Sequence, residues 1–221
     1  MNLESALQDS YDRYLTSGAR STDKLLPLHQ ELGKTFRDLH PGAGIITKWG
    51  DFDGELKSPG AYYPKNVDVA AVVGEIHQTS GSSYAVTNID QILGILGIKF
   101  VVTNFKQNAN NYFENMMGET ANIQQLGIPY SHFIALPVEI PFLSKDGSLK
   151  KIEKLGEGDL AKYVKLMSGA DGAHKPSSIS IALLKFDSNW KNLELLPDSH
   201  LDQICPGATK HLGLHNLGLV N

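Results

Sequence analysis

Asp68, Glu75 and His77 stand inside a run, Asn66-Val-Asp-Val-Ala-Ala-Val-Val-Gly-Glu-Ile-His77, whose other members are largely apolar and β-branched. Such a run reads as a buried strand. A buried carboxylate is costly unless something cationic pairs with it, and a metal ion is a common partner. Glu75 and His77 are two apart and share a strand face, whereas Asp68 lies seven residues before Glu75, on the opposite face of one continuous strand. A bend at Val73-Gly74 would bring the two acids together, and glycine suits it. Two converging carboxylates form a site for a hard divalent cation, which can ligate a phosphate oxygen and lower the pKa of a bound water for in-line attack. A lysine or histidine beside them would orient that water or stabilise developing charge.

The elements that must position these residues can be read in order. Residues 2–16 and 23–39 carry apolar side chains at helical spacing, and His40-Pro41-Gly42 stops the second helix. A short strand at 44–48 leads into a loop, 49–65, holding Asp51, Asp53, Glu55 and Lys57, the last two forming an acid-x-lysine with Leu56. After the strand at 67–77 come a Ser/Gly turn at 80–83, a helical segment near 88–97, a strand at 98–104 and a helix at 108–126. Pro137 and Pro141 break the run 130–143 and predict an edge strand or irregular exit. Lys145-Asp-Gly147 predicts a hairpin turn. A locally basic stretch follows (Lys150, Lys151, Lys154, Lys162, Lys165), then a helix at 158–168, a strong strand at 179–186, a weak one at 193–196 and a loop-rich tail. The expected fold class is α/β, a central mixed sheet flanked by helices behind an N-terminal helical pair. One domain is expected over 1–221, with a helical segment at 1–40, an α/β core at 43–186 and a loop-rich segment at 187–221.

Asp68, six residues, then Glu75-Ile76-His77, followed by the strand that begins at Lys99, resembles the PD-(D/E)XK nuclease superfamily, type II restriction endonucleases in particular. The order of elements as far as Phe186 is similar as well. The resemblance implies a restriction-endonuclease-like sheet and Mg²⁺ (or Mn²⁺) held by Asp68, Glu75 and the backbone carbonyl of Ile76, with His77 where the family carries lysine. The family's Pro-Asp is here Val67-Asp68, with the nearest proline at Pro64. Histidine does not reproduce a lysine's charge and reach, so Lys57 or Lys99, with Glu55, are supporting candidates for a displaced catalytic group. The implied activity is site-specific hydrolysis of double-stranded DNA by a homodimer. Candidate DNA contacts are the 51–65 loop with Lys65, then Lys106, Asn108, Asn110 and Asn111, and the basic 145–165 stretch with Lys150, Lys151 and Lys154. The alternatives are a non-catalytic DNA-binding or interaction domain of the same fold, and an enzyme acting on a small substrate between the 51–65 loop and the sheet.

Composition sets outer bounds. A chain of 221 residues buries one sizeable core, and a formal charge of −4 argues against a protein that coats nucleic acid without selection. A single cysteine excludes an intramolecular disulfide and fits a reducing cytoplasm. No secretory leader is visible, and no apolar run approaches the roughly 18 residues of a membrane span. His200, His211 and His215 with Asp198, Asp202 and Cys205 form a second candidate metal cluster near the C-terminus, without a paired cysteine. Phosphate-binding-loop, dinucleotide and nucleophile-elbow motifs are absent.

Overall fold

The computed structural model describes residues 2–17, 23–144 and 148–218. Two amphipathic helices lead, α1 (Leu3–Ser17) and α2 (Leu26–Leu39). Pro27 sits in the first turn of α2, where its missing N–H costs nothing, and Gly42 turns the chain at φ 86° just past its end. Eight strands follow: β1 (Gly44–Thr47), β2 (Phe52–Asp53), β3 (Glu55–Ser58), β4 (Lys65–Val67), β5 (Val69–Val72), β6 (Ile76–Ser80), β7 (Ser83–Val86) and β8 (Ile92–Phe100). Then come α3 (Phe105–Gln124), β9 (Tyr130–Pro137), β10 (Glu139–Leu143), β11 (Leu149–Lys154), α4 (Glu157–Ser168), β12 (Ser178–Phe186), β13 (Leu193–Leu195), α5 (Ser199–Ile204) and α6 (Ala208–Leu212). No helix among the described residues is long and apolar enough to cross a membrane.

The fold is α/β. Seven strands form one mixed sheet in the order β13-β12-β9-β8-β5-β1-β2. β1, β5 and β8 run as an antiparallel meander, β8, β9 and β12 run parallel, and β13 returns antiparallel. Alternation along β8 and β9 sends Leu96, Ile98, Phe133 and Ala135 to one face, against Leu7, Leu28, Leu32 and Phe36 of α1 and α2. Ile134, Leu136, Ile179 and Ile181 point to the other face, against Phe105 and Met116 of α3, Leu160 and Tyr163 of α4, and Leu201 and Leu212 of α5 and α6. A second sheet, β4-β3-β7-β6, packs Leu56, Val67 and Tyr84 onto the open end of the first, beside Ile46, Ala70 and Ile123.

Several sequence expectations are corrected. The strand expected over 67–77 is the end of β4, all of β5 and the start of β6, parted at Asp68 and again at Gly74, whose φ of 83° no β-branched residue adopts readily. The helical segment near 88–97 is a 3-10 turn at Ile89–Gln91 and then a nine-residue strand of the central sheet. Isoleucine and leucine at 92, 95 and 96 satisfy helical and buried-strand spacing alike; Gly94 and Gly97 decide for the strand. A methyl built on Gly94 would stand 3.2 Å from the His40 ring, and one on Gly97 would stand 2.8 Å from Tyr130 Oη. The edge strand expected from Tyr130 is central, paired on both sides, because Pro137 and Pro141 fall after its core and not within it. Beyond Asp198 the tail is largely helical and buries Leu201, Cys205, Ala208, Leu212 and Leu214. The Lys145–Gly147 turn lies outside the described residues, between strands that pair as expected of its two arms.

Candidate functional site

Asp68 is the one residue between β4 and β5, where the chain passes from the small sheet to the large one. Neither ladder pairs it, so other groups satisfy its backbone and side chain. Thr47 Oγ1 donates to its carbonyl (2.9 Å), and the Ile98 N–H donates to its Oδ2 (2.8 Å). Its side chain stays 32% exposed. Val69 faces Leu96 across the β5–β8 ladder, which sets Asp68 beside Gly97-Ile98-Lys99.

Gly97 and Lys99 share the face of β8 turned to α3. The room left by the missing side chain of Gly97 is filled by Tyr130 and His132 of β9. Tyr130 Oη donates to Glu119 Oε2 of α3 (3.4 Å), and Glu119 Oε1 accepts from Lys65 Nζ (2.7 Å). Burial costs the Lys65 ammonium some of its basicity, but the Glu119 carboxylate more than restores it. Burial, with Glu119 and Asp68 both close, drives the Tyr130 hydroxyl well above its ordinary value, so it stays a neutral donor. His132 Nε2 lies 2.9 Å from Thr120 Oγ1, whose proton is already given to the Met116 carbonyl, so the ring donates and carries its hydrogen on Nε2. Burial, reinforced by the charge of Lys99, lowers His132 to about 3. Asp68, Lys65 and Glu119 thus gather around the neutral Tyr130, and Lys99 stands beside the neutral His132.

On the far side of Asp68 stands His29 of α2, buried to 4% side-chain exposure, with Nε2 3.9 Å from Asp68 Oδ1. Its Nδ1 lies 3.3 Å from Thr47 Oγ1.

Glu75, Ile76 and His77 are not brought to Asp68. Gly74 supplies the expected bend, but it carries the chain into the second sheet. There Glu75 is 80% exposed, Ile76 pairs with Val86, and His77 Nε2 lies 3.9 Å from Glu75 Oε2 and 2.8 Å from Thr87 Oγ1. Glu55 Oε2 accepts from Asn66 Nδ2, and Lys57 is an exposed residue of β3. No three His, Cys, Asp or Glu side chains among the described residues cluster as a metal site. In the tail, His215 Nδ1 instead pairs with Asp198 Oδ2 (3.3 Å).

The basic stretch is mostly neutralised by its neighbours. Lys106 lies 3.4 Å from Asp159, Lys151 3.0 Å from Glu153 and Lys154 3.3 Å from Glu139, while Lys162 Nζ donates to the Ala109 carbonyl and lies near Asn110. Asn108 donates to the Asn104 carbonyl, Asn111 is exposed, and Lys150 is exposed with no ion pair among the described residues. The 51–65 loop presents Tyr62 and Tyr63, both exposed, and what sequence reading missed is that Asn122 of α3 fixes it. Asn122 Oδ1 accepts from both tyrosine N–H groups, its Nδ2 donates to the Tyr63 carbonyl, and its own carbonyl accepts from Ala61.

No family model, curated protein or solved structure matches this chain.

Proposed function

We propose that the chain is a divalent-metal-dependent endonuclease of the PD-(D/E)XK type, cutting double-stranded DNA. The observation that carries this reading is the position of Asp68, bound to the Ile98 N–H and partly open to solvent, one residue along β8 from Lys99. Gly97-Ile98-Lys99 has the spacing of the family's acid-x-lysine with glycine in the acid's place, and the Tyr130 hydroxyl that fills the room over that glycine donates to Glu119 of α3. The order strand meander, helix, parallel strand, antiparallel strand pair, helix and strand supports a restriction-endonuclease-like core.

The donor set fits a hard cation, since Mg²⁺ is commonly held by one or two carboxylates and completes its shell with water and substrate phosphate. Asp68 Oδ1 accepts no hydrogen bond among the described residues and is the oxygen that would face such an ion, while the nearby Glu119 is taken up by Lys65. When bound, the ion polarises the scissile phosphate and makes its water more acidic. Lys99 stabilises charge that builds on the phosphate oxygens. Lys65 pairs with Glu119, and Tyr130 orients it by donating to its other oxygen. His77 and Glu75 drop out of the catalytic set, and Lys99 takes the role first given to His77. Tyr62 and Tyr63, exposed on a loop whose backbone Asn122 anchors, present ring faces on which bases stack. A homodimer reading a two-fold-symmetric site follows from the family resemblance.

A non-catalytic DNA-binding domain is the second reading, favoured by the Lys65–Glu119 pair, which already satisfies one carboxylate, and by the glycine at 97. The two part on mixed-sequence duplex DNA incubated with Mg²⁺ or Mn²⁺, and with EDTA. The nuclease reading expects discrete fragments that vanish in EDTA and in the Asp68→Ala and Lys99→Ala variants and persist in His77→Ala. Retained binding without fragments selects the second reading. Cleavage that survives Asp68→Ala places the site elsewhere.

A further inference from the structure

We propose that His29 and Asp68 together ligate a borderline divalent ion of the Mn²⁺–Zn²⁺ series, so that the site prefers such an ion to Mg²⁺. This rests on the reading of Asp68 as the metal-facing carboxylate and adds to it a nitrogen ligand from α2.

The tautomer of His29 follows from counting protons. Thr47 Oγ1 has one hydrogen and gives it to the Asp68 carbonyl. The contact between Thr47 Oγ1 and His29 Nδ1 therefore has Nδ1–H as its donor. Nε2 is left as a bare lone pair, buried and without a hydrogen-bond partner. Facing it at 3.9 Å is Asp68 Oδ1, a second electron-pair donor. Two lone pairs cannot satisfy each other; a proton or a cation must stand between them.

A cation meets the geometry. Ligand distances of about 2.1 Å to imidazole nitrogen and carboxylate oxygen reach at most about 4.2 Å end to end, so one ion bridges the 3.9 Å gap at a wide angle, and a small approach of the Asp68 side chain brings it to the tetrahedral range. Asp68 is open to solvent, so the ion has a way in. Imidazole selects borderline transition ions, while Mg²⁺ takes oxygen. Packing does not ask for histidine at 29 either: its buried neighbours on α2 are Leu28, Leu32 and Phe36, and an aliphatic side chain would complete that stripe. No third His, Cys, Asp or Glu among the described residues joins the pair, so water fills the remaining positions.

The test uses the full chain without DNA. Mn²⁺ is titrated at neutral pH while the electron paramagnetic resonance signal of free Mn²⁺ is followed, and Mg²⁺ is added as competitor. We expect one Mn²⁺ per chain. His29→Gln, which keeps size and polarity, should weaken Mn²⁺ by about tenfold or more and Mg²⁺ by less than about twofold, and Asp68→Asn should weaken both. In the ¹⁵N-histidine spectrum, Zn²⁺ should shift His29 Nε2 and leave its Nδ1–H in place; this readout uses wild-type protein and survives a poorly folded variant. Wild-type Mn²⁺ affinity in a folded His29→Gln overturns the proposal, as does an unmoved Nε2. If Asp68→Asn alone loses metal, His29 is no ligand and the nuclease reading stands. If neither variant matters, both fail.

Discussion

Buried His132 gives the fold a pH-dependent stability. His132 lies about 3 in the folded protein, against about 6.5 in an unfolded chain. Its folded value is depressed, so the unfolded state binds the extra proton. Its contribution to stability is complete above about pH 6.5 and drains away as pH falls toward 3, with a limiting slope of about 1.4 kcal/mol per pH unit. Urea midpoints measured across that window should fall more steeply in wild type than in His132→Gln, which keeps a donor for Thr120 without the titration; equal slopes would contradict the assignment. The sequence disclosed residues at this scale unevenly. Asp68 was legible because an acid interrupting a valine run needs a reason. His29 left a fainter signal, a polar ring within an apolar helical stripe. Glu119 left none: on a helix of mixed polarity an acid reads as solvated, and only the hydrogen bonds of Lys65 and Tyr130 reveal its place.

Elements become legible where pattern and spacing have one solution. Both N-terminal helices, α3, α4 and β12 stand within a few residues of where apolar periodicity put them. The central meander did not, because Ile92–Phe100 is apolar on both faces and period alone cannot separate a buried strand from a buried helix. The consequence reached the site: with 67–77 taken as one strand, Glu75 and His77 looked like neighbours of Asp68, while Lys99 seemed to start a separate element. The loop that displays Tyr62 and Tyr63 depends on Asn122 in the same non-local way. Asn122→Ala removes the side-chain hydrogen bonds to Tyr62 and Tyr63 and leaves their backbone groups unsatisfied, at a cost of about 1–3 kcal/mol. Amide exchange at Tyr62 and Tyr63 should rise well before that of β9. Unchanged protection there would show that the loop holds itself.

Across the whole molecule, charge and burial set how the protein meets its surroundings. Because Lys106, Lys151 and Lys154 are matched by acids, few phosphates can be neutralised without breaking ion pairs. The slope of log affinity for duplex DNA against log salt should be about −3 or shallower, and Lys150→Ala should flatten it more than Lys154→Ala does. A slope near −8 would mean that DNA engages a face other than this one. The last consequence concerns Cys205, the chain's sole cysteine, buried where α5 meets α6, with its thiol pushed up by burial, Glu157 and Asp202. A thiol that is single, shielded and poorly ionised is a built-in clock for breathing motions. Reaction with an aromatic disulfide reagent should follow one exponential, and its rate at successive urea concentrations reports how often that corner parts from the sheet, with no label added and no residue changed.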